Sequence, residues 1–443
     1  MRDTKNFEIT RGGIGNQLAL LAAPLILGNI FQQFYNMADS FIIGRYISHT
    51  AFAAAGVAGN IMNLFIFVIN GGCNGISIIF AELYGEKNRS GLKKESFLSF
   101  SSGCFAAVGM GIVGGLTLDL LLNILQTPGD VKIFAREYLL VIYAGLPAAF
   151  IYNWTTAVLR AVGDVKTPLW VLVFSMVLNF CLDGFFVVCL NAGIAGAALA
   201  TVISQIFASA ACLAYMKMRH PYLLFGRKDM GFDGRLLRKT VNLGVVSALH
   251  QSSLYIGKLF VQGVVNTGGT EMISAYTLAM RIEGFANSFG DSGSMAISVF
   301  TAQNRGAGKD GRVRQGFRKG FRMMVFLSIF LSFLMVLFTP AAITLFMGEA
   351  SDTLALNVEA YMRTIAVFYL FCFIGNSFVG LYRGMGLAGI PVVGTVLHIS
   401  IRVIFSYLLI GKMGLASVAL ASGIGWIAVV IYQYSQMPRI VWR

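Results

Sequence analysis

Apolar residues run through this chain in long blocks, and polar positions fall mainly between the blocks. Blocks occur at about 17–43, 51–80, 96–118, 132–158, 167–190 and 193–216, then at about 241–265, 272–301, 320–346, 358–381, 390–411 and 414–437. At ~1.5 Å per residue each is long enough to cross the ~30 Å hydrocarbon layer of a bilayer as a helix. The pattern predicts an all-α integral membrane protein with twelve transmembrane helices. The polar, basic stretch 1–15 contains no short apolar core followed by a cleavage site, so no signal peptide is expected.

The blocks also repeat. Leu159-Arg-Ala-Val-Gly-Asp-Val-Lys-Thr-Pro168 returns as Tyr382-Arg-Gly-Met-Gly-Leu-Ala-Gly-Ile-Pro391, with Arg160, Gly163 and Pro168 matching Arg383, Gly386 and Pro391. Gly193-Ile-Ala-Gly-Ala-Ala-Leu-Ala200 returns as Gly414-Leu-Ala-Ser-Val-Ala-Leu-Ala421, and Ala81-Glu-Leu-Tyr-Gly85 as Ala302-Gln-Asn-Arg-Gly306. Three separate stretches sharing offsets of 221 to 223 residues are hard to assign to chance. The expected organisation is an N-terminal six-helix lobe over 1–216, a cytoplasmic linker over 217–239 and a C-terminal six-helix lobe over 240–443. Because six is even, both lobes enter the membrane the same way up. They are expected to be related by a pseudo-two-fold axis along the membrane normal, an arrangement used by transporters.

Composition supports the membrane assignment and changes the reading of the charge. The 443 residues are 56% hydrophobic and 12% charged, with a formal net charge of +14. A soluble domain carries ~25% charged residues. The excess base is not spread over a nucleic-acid surface. Counting the N-terminus, the even-to-odd loops and the C-terminus as one side gives 26 Lys plus Arg, against 3 in the opposite loops. By the positive-inside rule both termini are expected in the cytoplasm. Cys73, Cys104, Cys181, Cys189, Cys212 and Cys372 lie in apolar blocks without paired spacing, which points to neither a disulfide framework nor a metal site. Metal-protease His-Glu-x-x-His and Gly-x-Ser-x-Gly turns are missing from the sequence, so an enzyme is not expected.

Candidate chemistry sits on polar stripes inside the blocks. Gln32, Tyr35, Asn36 and Asp39 fall at i, i+3, i+4 and i+7, one face of a helix. An acid in an apolar span is costly and normally faces a wet cavity or a partner. Ser175, Asn179 and Asp183 form a second stripe in the fifth block, at a depth matching Asp39. Two acids sharing a site disfavour each other's charge, which would allow proton coupling, while the same oxygens with Asn179 could instead ligate sodium. Thr201 and Gln205 would add hydroxyl and amide groups to that cavity. Pro24 is expected to kink the first span below Asp39. Phe34, Tyr35, Tyr152 and Trp154 are candidate aromatic walls of a cavity. In the second half, Lys258, Arg281, Glu283, Asp291 and Arg402 fall inside blocks, and Lys258 is expected to pair with Glu283 in a structural or gating charge network. His250 and His398 read as packed, hydrogen-bonded histidines. Gly56, Ala58 and Gly59 read as helix-packing surface.

Pro24 and Asp39, the Asn179/Asp183 pair, Thr201 and the stretch Ala302-Gln-Asn-Arg-Gly-Ala-Gly308 together resemble the multidrug and toxic compound extrusion (MATE) family, closest to its DinF/MepA-like branch. The other main branch carries an acid in the seventh span, where this chain reads Val246-Ser-Ala-Leu-His-Gln-Ser-Ser-Leu-Tyr255 without one. The resemblance implies a secondary active antiporter of the bacterial cytoplasmic membrane that exports lipophilic or cationic organic compounds in exchange for H⁺ or Na⁺. It implies no cofactor beyond that ion, membrane lipids and small amphiphilic cations as partners, no nucleic acid, and a monomer. A lipid-linked oligosaccharide flippase is the alternative, since Lys258, Arg281 and Arg402 would suit a pyrophosphate head.

Overall fold

Apart from those at 167–190 and 414–437, each apolar block lies inside one helix of the computed structural model, which describes residues 9–47, 49–125, 127–347 and 352–437, without the side chains of 36–41, 43–45, 49, 52–53, 270 and 346–347. The long helices are α1 (Ile14–Tyr46), α2 (His49–Gly85), α3 (Arg89–Ile124), α4 (Gly129–Ala161), α5 (Lys166–Asp183) and α6 (Gly193–Arg219). After them come α7 (Gly234–Asn266), α8 (Gly269–Gly306), α9 (Asp310–Met347), α10 (Asp352–Gly384), α11 (Gly389–Met413) and α12 (Ala416–Gln436). No strand occurs among the described residues. Several helices outrun the apolar blocks by a turn or two, because apolarity limits only the part in hydrocarbon. The 38 residues of α9 reach ~57 Å, well beyond the bilayer core.

Among the described residues, ten of these helices are long and apolar enough to cross a membrane. The two others, α7 and α8, have the expected length but are more polar. Here α7 carries His250, Gln251, Lys258 and Gln262, and α8 carries Arg281, Glu283, Asn287 and Asp291.

The chain divides into two units, one holding Leu27–Ala248 and the other Glu8–Ile26 with Leu249–Arg443. This differs from a division at 217–239. The expected linker lies wholly in the first unit, where two 3₁₀ turns, Pro221–Leu223 and Arg227–Asp229, pack on α3. Phe225 meets Phe97 and Phe100 with ring centroids 5.5 and 5.8 Å apart, and Lys239 reaches Glu82 at 2.8 Å. The first part of α7 therefore belongs with α2, and the first part of α1 belongs with the second unit. The cuts, at 26/27 and 248/249, are again 222 residues apart. Pro24 sits inside a continuous α1, less than a turn before the first cut.

Within each unit the packing follows one scheme. In the first, α4 is the hub, touching α2, α3 and α6, while α5 packs on α6. In the second, α10 touches α8, α9 and α12, while α11 packs on α12. The turns between helices match as well. After α4, Gly163 (φ 93°) donates to the Arg160 carbonyl and Asp164 to that of Leu159. After α10, Gly386 (φ 75°) donates to Arg383 and Leu387 to Tyr382. A positive φ at this place is what glycine supplies without steric cost. Lys87 (φ 58°) and Gly308 (φ 69°) close α2 and α8 with the same bonds, Asn88 to Leu83 and Lys309 to Asn304. The sequence repeat is thus a repeat of turns and of hub helices.

Candidate functional site

The carboxylate of Asp183 is buried, 1% exposed, at the junction where α5 gives way to a π-helical turn over Gly184–Cys189. Wide turns of this kind recur at functional sites, because the extra residue re-aims the side chains around it. One helical turn earlier, Asn179 is also buried. In the amide orientation that matches donors to acceptors, its nitrogen donates to Asp183 Oδ2 at 3.0 Å and its oxygen accepts from the backbone N–H of Thr201 at 3.2 Å. Ser175, one turn further back, donates to the Ser204 carbonyl at 2.9 Å. The face Ser175–Asn179–Asp183 therefore lies along α6, as its spacing requires. The Thr201 hydroxyl is not part of it. That group bonds to the Ala197 carbonyl of its own helix at 3.2 Å, and only the Thr201 backbone reaches Asn179.

On α1, Tyr35 is half-buried, while Gln32 and Phe34 are exposed. The side chains of Asn36 and Asp39 lie outside the described residues. Trp154 is no wall for a ligand. It is fully buried, its Nε1–H donates to Ser99 Oγ at 3.0 Å, and Phe80 and Phe100 meet it edge-on. Among the described residues, no atom stands within 4 Å of a Cβ built on Gly56 or Gly59.

In the second unit Glu283 is 6% exposed, and its partner is not the one expected. Tyr361 donates its hydroxyl to Glu283 Oε1 at 2.6 Å, while Lys258, exposed on α7, acts on that carboxylate only at longer range, behind Arg402. The reason is reach. Tyr361 projects from the hub helix α10, which packs closely on α8. Around this bond Tyr369 donates to Asn287 Oδ1 at 3.1 Å, Arg402 to the Tyr276 hydroxyl at 3.4 Å, and Tyr276 meets Tyr361 edge-on. Tyr361 and Tyr369 are eight residues apart and share a helix face, a stripe the sequence offered and that a search for charged residues passes over. Arg281 and Asp291 are both exposed on α8, and the charges acting on Asp291 are Lys258 and Arg383. His250 is packed as expected, accepting from Arg383 at 2.8 Å, and His398 stacks on Trp426.

A buried acid fixed by an amide in a helix that crosses hydrocarbon can bind and release a cation or a proton. The sequence matches the MatE family over residues 24–184 and again over 246–408, two matches beginning 222 residues apart. The chain belongs to this family of transporters and is a multi-pass membrane protein. It is similar to the probable multidrug resistance protein YpnP of Bacillus subtilis, 29% identical over 98% of each chain. It is also similar to the probable multidrug resistance protein NorM of Thermotoga maritima, 25% identical over 95% of this chain and 90% of that one. Its fold matches a multidrug resistance MATE transporter of the MOP superfamily in an outward-facing conformation, with a TM-score of 0.92 at 22% identity, covering 100% and 99% of the two chains.

Proposed function

We propose that this chain exports lipophilic organic cations across a bacterial cytoplasmic membrane, with both termini inside, in exchange for an inward-moving proton. The observation that carries the reading is the Asp183–Asn179 pair. The Asn179 side-chain amide lies 3.0 Å from Asp183 Oδ2 and 3.2 Å from the Thr201 backbone nitrogen. Both residues are buried, and the pair offers a carboxylate that can take up and lose a proton while held beside the amide. The relatives named as multidrug resistance proteins support the substrate class. Asp39, Tyr35, Asn36 and Gln32 on α1 are assigned to the same exchange, with Pro24 as the point about which α1 changes shape. The working unit is one chain with no cofactor.

The test is efflux of a fluorescent organic cation from proteoliposomes, driven first by an imposed pH gradient and then by a sodium gradient. Wild type responds to the pH gradient. Asp183→Asn, nearly isosteric, inserts and folds but loses that response. A variant whose efflux follows the pH gradient as wild type does removes Asp183 from the mechanism, and efflux driven by sodium alone replaces the proton by sodium.

A further inference from the structure

On the face that the basic loops assign to the cytoplasm, α3 begins beside a pocket of about 470 Å³ lined by Arg89, Ser90, Lys93, Pro221, Tyr222 and Asp229. Its walls are held in place. The Arg89 guanidinium lies over the Tyr222 ring, 5.7 Å from the centroid, and that ring stacks on Tyr84. The Tyr222 hydroxyl meets His220 Nδ1 at 3.1 Å, and His220 Nε2 lies 3.5 Å from Asp164 Oδ2. The acid in the pocket is already engaged. Asp229 accepts the Gly226 N–H at 2.9 Å, and its contact with Lys93 is long, at 3.8 Å. Arg89 and Lys93 therefore present charge to the opening, together with the Ser90 hydroxyl.

A second observation says what kind of anion fits. The chain leaving the pocket carries Met230 and Phe232, which are 51% and 81% exposed although they lie outside every apolar block. They stand between Arg227-Lys228 and Arg235, with Asp229 and Asp233 beside them. Exposed apolar side chains in a segment with bases at both ends, next to a helix that enters hydrocarbon, mark a segment that lies in the headgroup layer. A free anion has no use for Met230 and Phe232, whereas a lipid has acyl chains to place against them.

We propose that this pocket binds the headgroup of an anionic phospholipid of the cytoplasmic leaflet, its phosphate between Arg89, Lys93 and Ser90 and its chains beside Met230 and Phe232. The site is separate from Asp183 and rests on the proposed orientation of the chain, not on the transport reaction.

The experiment is lipid retention by the full-length protein, released from mixed phosphatidylglycerol and phosphatidylcholine micelles into native mass spectrometry. Wild type retains phosphatidylglycerol preferentially. Arg89→Gln with Lys93→Gln weakens that retention roughly 30-fold, the worth of two interfacial charges. Asp229→Asn, which leaves both cations in place, strengthens it and covers the case of a double variant that fails to fold. Unchanged preference in the double variant, or weaker retention in Asp229→Asn, overturns the assignment. So does loss of the lipid to an excess of inorganic phosphate with Met230 and Phe232 intact, which would make the site one for a free anion. None of these readouts passes through cation efflux, so failure here leaves the transport proposal standing and failure there leaves this one.

Discussion

Replacing Gly75 by alanine tests whether the first part of α7 truly belongs to the first unit. Gly71 and Gly75, one turn apart on α2, lie against the α7 backbone. A Cβ on Gly75 would stand 2.3 Å from the Leu243 carbonyl oxygen, 2.7 Å from its carbon and 2.9 Å from Ser247 Oγ. Ordinary contact begins at 3.4 Å, so the two helices must part by about 1 Å. The closest obstructing atoms are backbone and cannot rotate away. Overpacking of this kind costs ~1–3 kcal/mol, and for a unit of this size each kcal/mol lowers the unfolding temperature by roughly 2–4 °C. Gly75→Ala is therefore expected to unfold on the order of 2–12 °C below wild type in a detergent thermal melt. Gly59, on the same helix, has no atom of the described residues within 4 Å of where a methyl group would stand. Gly59→Ala gains helix propensity worth up to ~1 kcal/mol and is expected to melt at or above wild type. Equal melting of Gly75→Ala and wild type, with Gly59→Ala reduced, would refute the α2–α7 contact.

Two further predictions concern electrostatics. Asp164, in the turn between α4 and α5, is pulled up by burial but held below the ordinary carboxylate value of 3.8 by hydrogen bonds from His220, the Thr167 N–H, Tyr215 and the Thr167 hydroxyl. Its contribution is complete above that ordinary value and is lost as pH falls through the lower folded value. Asp164→Asn is thus expected to melt below wild type at neutral pH, by roughly 1–2 kcal/mol given the worth of bonds to a charged group. The gap should close in acid, and a gap that widens as pH drops would reverse the sign of the argument. Tyr361→Phe leaves the buried Glu283 without its 2.6 Å donor, so a loss of ~1–3 kcal/mol is expected, and urea unfolding that matches wild type would show the carboxylate to be satisfied elsewhere.

The helices and the repeat were legible because both depend on patterns of many residues. An apolar block of membrane length has few alternatives to a helix, and glycines at Gly163 and Gly386 mark turns that need a positive φ. The face Ser175–Asn179–Asp183 was legible for the same reason, since spacing fixes which side chains share it. What escaped were contacts that a single substituent decides. Spacing offered Thr201 as a hydroxyl donor, but a threonine in a helix can satisfy its own hydroxyl at the preceding turn, leaving the backbone to bind Asn179. Lys258 looked like the partner of Glu283 because charge suggests charge, whereas a buried acid can be met by a tyrosine from the packed neighbour. The 217–239 segment read as a linker because it is basic, yet Phe225 and Tyr222 anchor it to α3 and α2. The π-turn after Asp183 left no mark in composition at all.

The two halves keep one scaffold and carry different chemistry on it. Hub helices, turn glycines and the positions of the cuts in α1 and α7 all recur at nearly one offset, because each answers to backbone geometry. The interiors do not recur. The first unit holds Asp183 against an amide, while the second surrounds Glu283 with Tyr276, Tyr361 and Tyr369 and sets Arg402, Lys258 and Arg383 among its acids. A fixed positive charge near a carboxylate opposes uptake of a further cation there. The two helices that fall short in apolarity, α7 and α8, are the ones that carry Lys258, Arg281, Glu283 and Asp291. The acids of the two units thus stand in different electrostatic surroundings on a scaffold that the two halves share.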